Sequence, residues 1–208
     1  MNLALKTLLF ILASYMIAGI PFAYIISKVF LKIDIRTIGS GNVGATNVYR
    51  AGGLKLSVVV FILDFLKGFV PTIVSIFFFN KNLHISTIIA ISTILGHMFT
   101  PYLHFRGGKG AATSFGAFIV IFPGVIAVSA VLFIVAVILS RIVALGTIIA
   151  AFTFPIAYFI LGEIMNFNFP FNEFSYINLS LIILIVLFII FKHKSNISRM
   201  MKGNENKI

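Results

Sequence analysis

Three stretches of this 208-residue chain place the residue types of an anion site at close spacing. Residues 39–50 read GSGNVGATNVYR, residues 105–113 read FRGGKGAAT and residues 193–200 read HKSNISRM. Glycines permit positive φ and let a backbone approach its ligand closely. Successive N–H groups can then form a concave nest for phosphate oxygens, and helix N-termini reinforce it. Gly39, Ser40, Gly41, Asn42, Thr46 and Asn47 offer a nest and neutral donors, while Arg50 and Lys109 offer charge. Gly107 and Gly108 repeat the recipe beside Lys109. The chemistry these types serve is the holding of phosphate. Nucleotide hydrolysis is a poor reading, because Lys-Ser/Thr does not follow the second glycine at Walker A spacing and no strand precedes the loop.

The titratable residues are sparse. Asp64 and Lys67, in LDFLKG (63–68), lie three apart on one helix face. Charges inside a membrane default to a functional hypothesis, and a mutually neutralising pair that fixes helix packing is the equal alternative. Of the four histidines, His97 and His193 are the two of interest; His84 and His104 read as loop or interface residues. Neither His97 nor His193 is followed by a carboxylate at H-x-x-x-x-D spacing, where Tyr102 and Ser198 stand. No Ser-His-Asp set is apparent. Acids are too few and histidines too scattered for a metal site. With no cysteine, disulfides, iron–sulfur ligation and thiolate catalysis are excluded. The three stretches hold no carboxylate; the nearest is Glu205, just past the third and expected in a mobile tail.

The elements that must position these residues are apolar. The chain is 60% hydrophobic with a formal net charge of +11. No charge interrupts the 21 residues between Lys6 and Lys28 or the 31 between Lys109 and Arg141, and Ile142–Leu161 adds an uncharged run of 20. About 20 apolar residues cross a bilayer as a helix. Continuous apolar runs favour helices over barrel strands. The first run is expected not to be a cleaved signal peptide: it is too long, and no small-residue site closes it before Lys28.

Seven spans are expected, near 4–28, 55–79, 85–104, 110–122, 124–140, 142–162 and 177–191. The run 110–140 is about 46 Å long as one helix, more than one membrane thickness. Phe122-Pro123-Gly124 is a natural break, so two short helices are favoured. Seven spans sort the cations thirteen to two, with Lys6 and Lys81 alone on the sparse side. By the positive-inside rule the N-terminus is external and the C-terminus cytoplasmic. All three polar motifs then fall on the cytoplasmic face. Each alone has a duller explanation, as an interfacial turn, a head-group anchor or a stop-transfer flank; their convergence favours a site. The aromatic loop Gly162–Tyr176 shows little sign of chemistry. The chain 1–208 reads as a single all-α integral membrane domain.

GSGNVGATNVYR, GHMFTPYLHFRGGKGAAT and HKSNISRMMKGNE together resemble the bacterial acyl-phosphate:glycerol-3-phosphate acyltransferases, the PlsY family. LDFLKG and SRIVALGT (140–147) fit between them in order, so the resemblance covers nearly the whole chain. It implies a seven-helix enzyme of the bacterial cytoplasmic membrane that acylates the sn-1 hydroxyl of glycerol 3-phosphate. Lysophosphatidic acid and phosphate would be the products, with no cofactor and no metal. The implied partners are glycerol 3-phosphate, acyl phosphate and the phospholipid bilayer, with no nucleic acid and no obligatory protein partner. The family's phosphate loop and following cation match Gly39, Ser40, Gly41, Asn42, Thr46, Asn47 and Arg50. Its GGKG lysine matches Lys109, and its final histidine and asparagine match His193 and Asn196. Where the family commonly has serines, this chain has Ala144 and Thr147; Thr147 keeps a hydroxyl and is assigned to the substrate site. Lys194 replaces the usual arginine, which keeps charge but loses the planar fork.

Acyl transfer to a hydroxyl needs its proton removed, and no protein base is evident. The leaving phosphate of the donor is the expected acceptor, so catalysis is expected to be substrate-assisted, supported by Arg50, Lys109 and His193. His97, Asp64 and Lys67 are expected to be structural or positioning. The rival reading is a transporter or scramblase for an anionic lipid or metabolite. Against it stand the lack of an internal repeat and the one-sided polar residues, since alternating access puts its site near the midplane between repeats.

Overall fold

The computed structural model describes residues 2–167, 170–171 and 173–208. Part of the aromatic loop expected at 162–176 (Asn168, Phe169 and Asn172) lies outside them. Every regular element among the described residues is helical. Polarity is inverted relative to a water-soluble fold. Leu139 and Phe77 stand 81% and 74% exposed, while Asp64, Lys67, Thr72, Ser75, Thr87 and Thr93 are buried. A surface that apolar needs lipid to cover it. The chain resolves into two compact units, Met1–Val120 and Ile121–Ile208.

In the first unit α1 (Leu3–Gly19) starts at an Asn2 cap whose side chain accepts from the Leu5 N–H. It stops at Ile20, because Pro21 cannot donate to the helical ladder. The chain resumes as α2 (Phe22–Ile26) and a wide π turn, Ser27–Leu31. The span expected as one helix over 4–28 is thus broken near its end. Next comes α3 (Ala45–Phe78), interrupted at Gly53 (φ 78°, ψ −174°). Its long leg, after Gly53, is the span expected near 55–79. The short leg, residues 45–52, folds back so that the Ser57 hydroxyl donates to the Ala45 carbonyl (3.0 Å). Residues 45–50, read from sequence as loop, are therefore helical. α4 (Leu83–Met98) is capped by Asn82 and packs on both α1 and α3. A short 3₁₀ turn, Pro101–Leu103, leads to the GGKG turn and α5 (Ala111–Ile121).

The second unit contains α6 (Pro123–Ser140), α7 (Val143–Phe159), α8 (Tyr176–Lys192) and α9 (Lys194–Met201). The break between α5 and α6 falls at Phe122, where Pro123 takes the first helical position. α7 packs on α6 and α8, and Tyr158 stacks on Phe174 and meets Phe122 edge-on. Among the described residues five helical segments are long and apolar enough to cross a membrane. A sixth is reached if α8 and α9, bent by 54°, count together, and α5 is a shorter apolar helix.

Candidate active site

The first motif is a loop tied down from both ends. Asp34 caps the turn Ile35–Thr37 and grips Arg36 through its Nε and Nη2 (2.7–3.2 Å). The Arg36 hydrogen bonds hold the Asp34 carboxyl down at about 2, from an ordinary 3.8. A depressed carboxyl pKa means this contact is complete above the ordinary value and is lost as pH falls through about 2. Beneath the loop, Ile35, Val43 and Val48 are buried against Val60 and Leu103. Asn47, expected to face substrate, is 1% exposed and laces the loop together. Its amide donates to the Ile35 and Ile38 carbonyls (3.0 and 2.9 Å), and its Oδ1 accepts from the Ser40 N–H (3.0 Å). Asn47 shapes the cradle from beneath. Gly39 and Gly41 sit at φ +58° and +67°, and a Cβ on Gly39 would stand 2.5 Å from Asn47 Oδ1.

The second motif doubles back on the end of α4. Gly107 N–H donates to Met98 O and Gly108 N–H to His97 O, both at 3.1 Å. A Cβ on Gly108 would lie 2.5 Å from the Val43 carbonyl and 2.1 Å from His97 Nε2. The two glycine motifs, some sixty residues apart in sequence, therefore touch. Their donors differ from a simple nest, however. The N–H groups of Ser40, Gly41, Gly44, Gly107 and Gly108 are all engaged by protein acceptors. The head of α3 at Ala45 and Thr46 leaves first-turn N–H groups unmatched, and the side chains of Ser40, Asn42, Thr46, Arg50 and Lys109 belong to the same two motifs. The aliphatic part of Arg50 runs beside Gly39, with Cδ 3.9 Å from where a Cβ there would sit.

Behind the glycine turn lies a buried charged cluster. Lys67 Nζ is 2.8 Å from Asp64 Oδ1 and donates to the Ile20 carbonyl at 2.9 Å. His97 Nδ1 stands 3.6 Å from the same Oδ1. Sequence spacing gave no hint of this, because Asp64 and His97 lie 33 positions apart. Among the described residues no group of three or more histidines and acids could hold a metal.

The third motif belongs to the second unit. His193, 3% exposed, has Nδ1 2.8 Å from the Ile189 carbonyl. A carbonyl can only accept, so in this contact Nδ1 carries the proton. Asn196 Nδ2 donates to Glu205 Oε1 (2.9 Å), and Arg199 Nε donates to Oε2 (2.8 Å). Glu205 is thus no part of a mobile tail: it is buried and doubly bonded. The chain reaches it through a left-handed Gly203 (φ +69°), with Gly203 N–H on Met200 O and Asn204 N–H on Arg199 O. This is a Schellman end, and the glycine in MMKGNE was its sequence signal. Thr147 donates its hydroxyl to the Val143 carbonyl one turn back (3.0 Å).

Replacing Glu205 by alanine leaves Asn196 and Arg199 without their acceptor. Arg199 is 28% exposed at its side chain, so water compensates part of the loss. Destabilisation of about 1–3 kcal/mol is expected, with faster proteolysis after Arg199 and Lys202. A melting temperature equal to wild type would show that the clamp contributes nothing.

Fold and site together define a multi-helix membrane protein in which two glycine motifs touch. The family model for glycerol-3-phosphate acyltransferase matches residues 8–203. A glycerol-3-phosphate acyltransferase of Endomicrobium trichonymphae is 39% identical over 206 residues, 97% of this chain and 95% of its own. One from Aquifex aeolicus is 35% identical over 204 residues, covering 98% and 100%. The crystal structure of PlsY (YgiH), an integral membrane glycerol 3-phosphate acyltransferase, in its glycerol 3-phosphate form, is 34% identical with a TM-score of 0.85 and covers 98% of this chain and 96% of that one. Its lysophosphatidic acid form aligns with a TM-score of 0.81, 34% identity and coverage of 98% and 95%. This chain belongs to the glycerol-3-phosphate acyltransferase family.

Proposed function

We propose that this protein transfers the acyl group of an acyl phosphate to the sn-1 hydroxyl of glycerol 3-phosphate at the cytoplasmic face of a bacterial inner membrane. The products are lysophosphatidic acid and inorganic phosphate. The observation that carries the reading is the contact of Gly108 with Val43, which joins two phosphate-type motifs in a chain of this family. Both substrates bring a phosphate, and the cradle offers uncommitted hydroxyls at Ser40 and Thr46 together with two cations. An acyl chain must stay in lipid while its head meets a soluble acceptor, which a helical membrane enzyme allows. Seven crossings with the N-terminus outside follow from the charge bias.

In this reaction the acceptor oxygen bonds to the acyl carbon as the bond from that carbon to the phosphate oxygen breaks. The hydroxyl proton passes to the departing phosphate, so no protein base is required. Holding the two reactants in line, and stabilising the developing oxyanion with fixed donors, supplies the rate. The phosphate of the donor lies on the loop 39–44 and the head of α3. Thr147, His193 and Asn196 hold glycerol 3-phosphate by their match to the family motifs.

A mixed anhydride with phosphate is already activated, whereas a coenzyme A ester brings a large nucleotide for which no segment is provided. Purified protein given labelled glycerol 3-phosphate is expected to form lysophosphatidic acid from acyl phosphate and not from acyl-CoA. Equal turnover of both donors refutes the donor assignment. No product from either, with label crossing sealed vesicles instead, favours a transporter.

A further inference from the structure

Asp64, Lys67 and His97 are 2%, 5% and 7% exposed, yet none of the proposed chemistry uses them. Lys67 ties Asp64 to the carbonyl of Ile20, at the break that Pro21 makes in the first span, and lies over the Phe22 ring at 5.6 Å. Were this only a packing device, the neutral Asp64–Lys67 pair would suffice. An imidazole is added to it, and His97 touches the GGKG turn twice, once through its backbone and once through its ring. The His97 carbonyl accepts the Gly108 N–H, and the ring edge at Nε2 and Cε1 lies against the Gly108 backbone. The opposite side of Gly108 rests on the Val43 carbonyl. The turn is therefore wedged between the His97 ring and the first glycine motif, one residue before Lys109.

We propose that His97 is a positioning residue for phosphate binding: Asp64, anchored by Lys67, orients the imidazole, and the imidazole sets the GGKG turn and hence Lys109. The inference rests on the reading of Lys109 as a phosphate ligand. Its consequence is a split in the kinetics. Removing the wedge misplaces Lys109 without removing it, so affinity for the substrate whose phosphate Lys109 holds falls while chemistry at saturation is little changed.

The test uses the full chain with two variants, His97→Ala and the double variant D64N/K67M. The double variant removes both charges together and so strands no buried ion. Each is expected to raise KM roughly 10-fold for the substrate whose phosphate Lys109 holds, the same substrate whose KM rises in Lys109→Ala, with kcat within about 3-fold of wild type. Without substrate, trypsin should cut faster after Arg106 and Lys109 in both. If the double variant keeps a wild-type KM and a wild-type cutting rate, the proposal fails and the cluster is packing alone. A collapse of kcat in His97→Ala with KM unchanged also overturns it, by placing His97 in the chemistry. Should the wild type not use acyl phosphate at all, the proposed reaction fails, while the trypsin measurement still decides whether His97 holds the turn.

Discussion

Alanine at Gly107 or Gly108 is expected to abolish nearly all activity, lowering kcat/KM by more than about 100-fold. The reason is not conformational preference, since neither glycine has a positive φ. A Cβ on Gly107 would lie 2.0 Å from the His97 carbonyl oxygen, and one on Gly108 would lie 2.5 Å from that of Val43. Both obstacles include backbone, so no side-chain rotation relieves them. The turn must lift away from α4 and from the first motif, breaking the two hydrogen bonds that seat it. The shift displaces Lys109 and, through Val43, the first motif as well, so the loss exceeds that of removing Lys109 alone; a misplacement of about 1 Å costs on the order of 100-fold. Overpacking of this kind costs typically about 1–3 kcal/mol of stability. Gly53 is the control: its φ is +78° but nothing lies within 4 Å of its Cβ site. Alanine there should cost about 1–3 kcal/mol of backbone strain, since φ +78° with ψ −174° is open essentially to glycine alone, and should cost turnover far less than alanine at Gly107 or Gly108. Measuring kcat/KM and melting temperature for all three variants separates crowding from strain. Activity within a few fold of wild type for Gly107→Ala would contradict the seated turn.

Much of this fold was readable from charge placement alone. Long uncharged runs located the helices, and Phe122-Pro123 broke the longest run where the structure breaks it. Pro21 was equally visible, yet the run 7–27 was read through it because hydropathy does not register a missing N–H. The start of α3 was placed too late for a related reason. Glycine and asparagine density made residues 39–50 look like one loop, although TNVYR is helical and only the glycines turn.

The site was legible by residue type but not by role. Asn47 has the chemistry of a phosphate donor, and its neighbours Ile35 and Ile38 claim it, because a loop this tight must satisfy its own carbonyls first. The same demand engages the Gly107 and Gly108 amides. Which donors remain for a ligand is a tertiary fact. Asp64 against His97 is another, since it depends on α3 packing on α4. Glu205 differed: the glycine two residues before it marked a helix end that turns back, a signal present in the sequence and passed over.

Removing either cation of the cradle should lower kcat/KM by about 10-fold to 100-fold, corresponding to one charge-assisted hydrogen bond of about 1.5–3 kcal/mol. Arg50 belongs to the short leg of α3 and Lys109 to the wedged turn, so they approach from different elements. Both are partly exposed, and neither lies among the buried residues of the first unit, so alanine should leave the fold intact. Arg50→Lys is a sharper probe. It keeps the charge and loses the planar fork, so partial recovery means that charge alone matters, and none means that two-point binding is required. The double alanine variant decides whether both cations serve one phosphate. Two groups on a shared phosphate couple, and the combined loss then departs from the product of the single losses. If they hold separate phosphates, the losses multiply, and each single variant raises KM for only one substrate. Titrating acyl phosphate and glycerol 3-phosphate separately in the three variants reads this directly. Near-wild-type kcat/KM in both single variants would remove Arg50 and Lys109 from the cradle and leave it the Ser40 and Thr46 hydroxyls, the Asn42 amide and the head of α3.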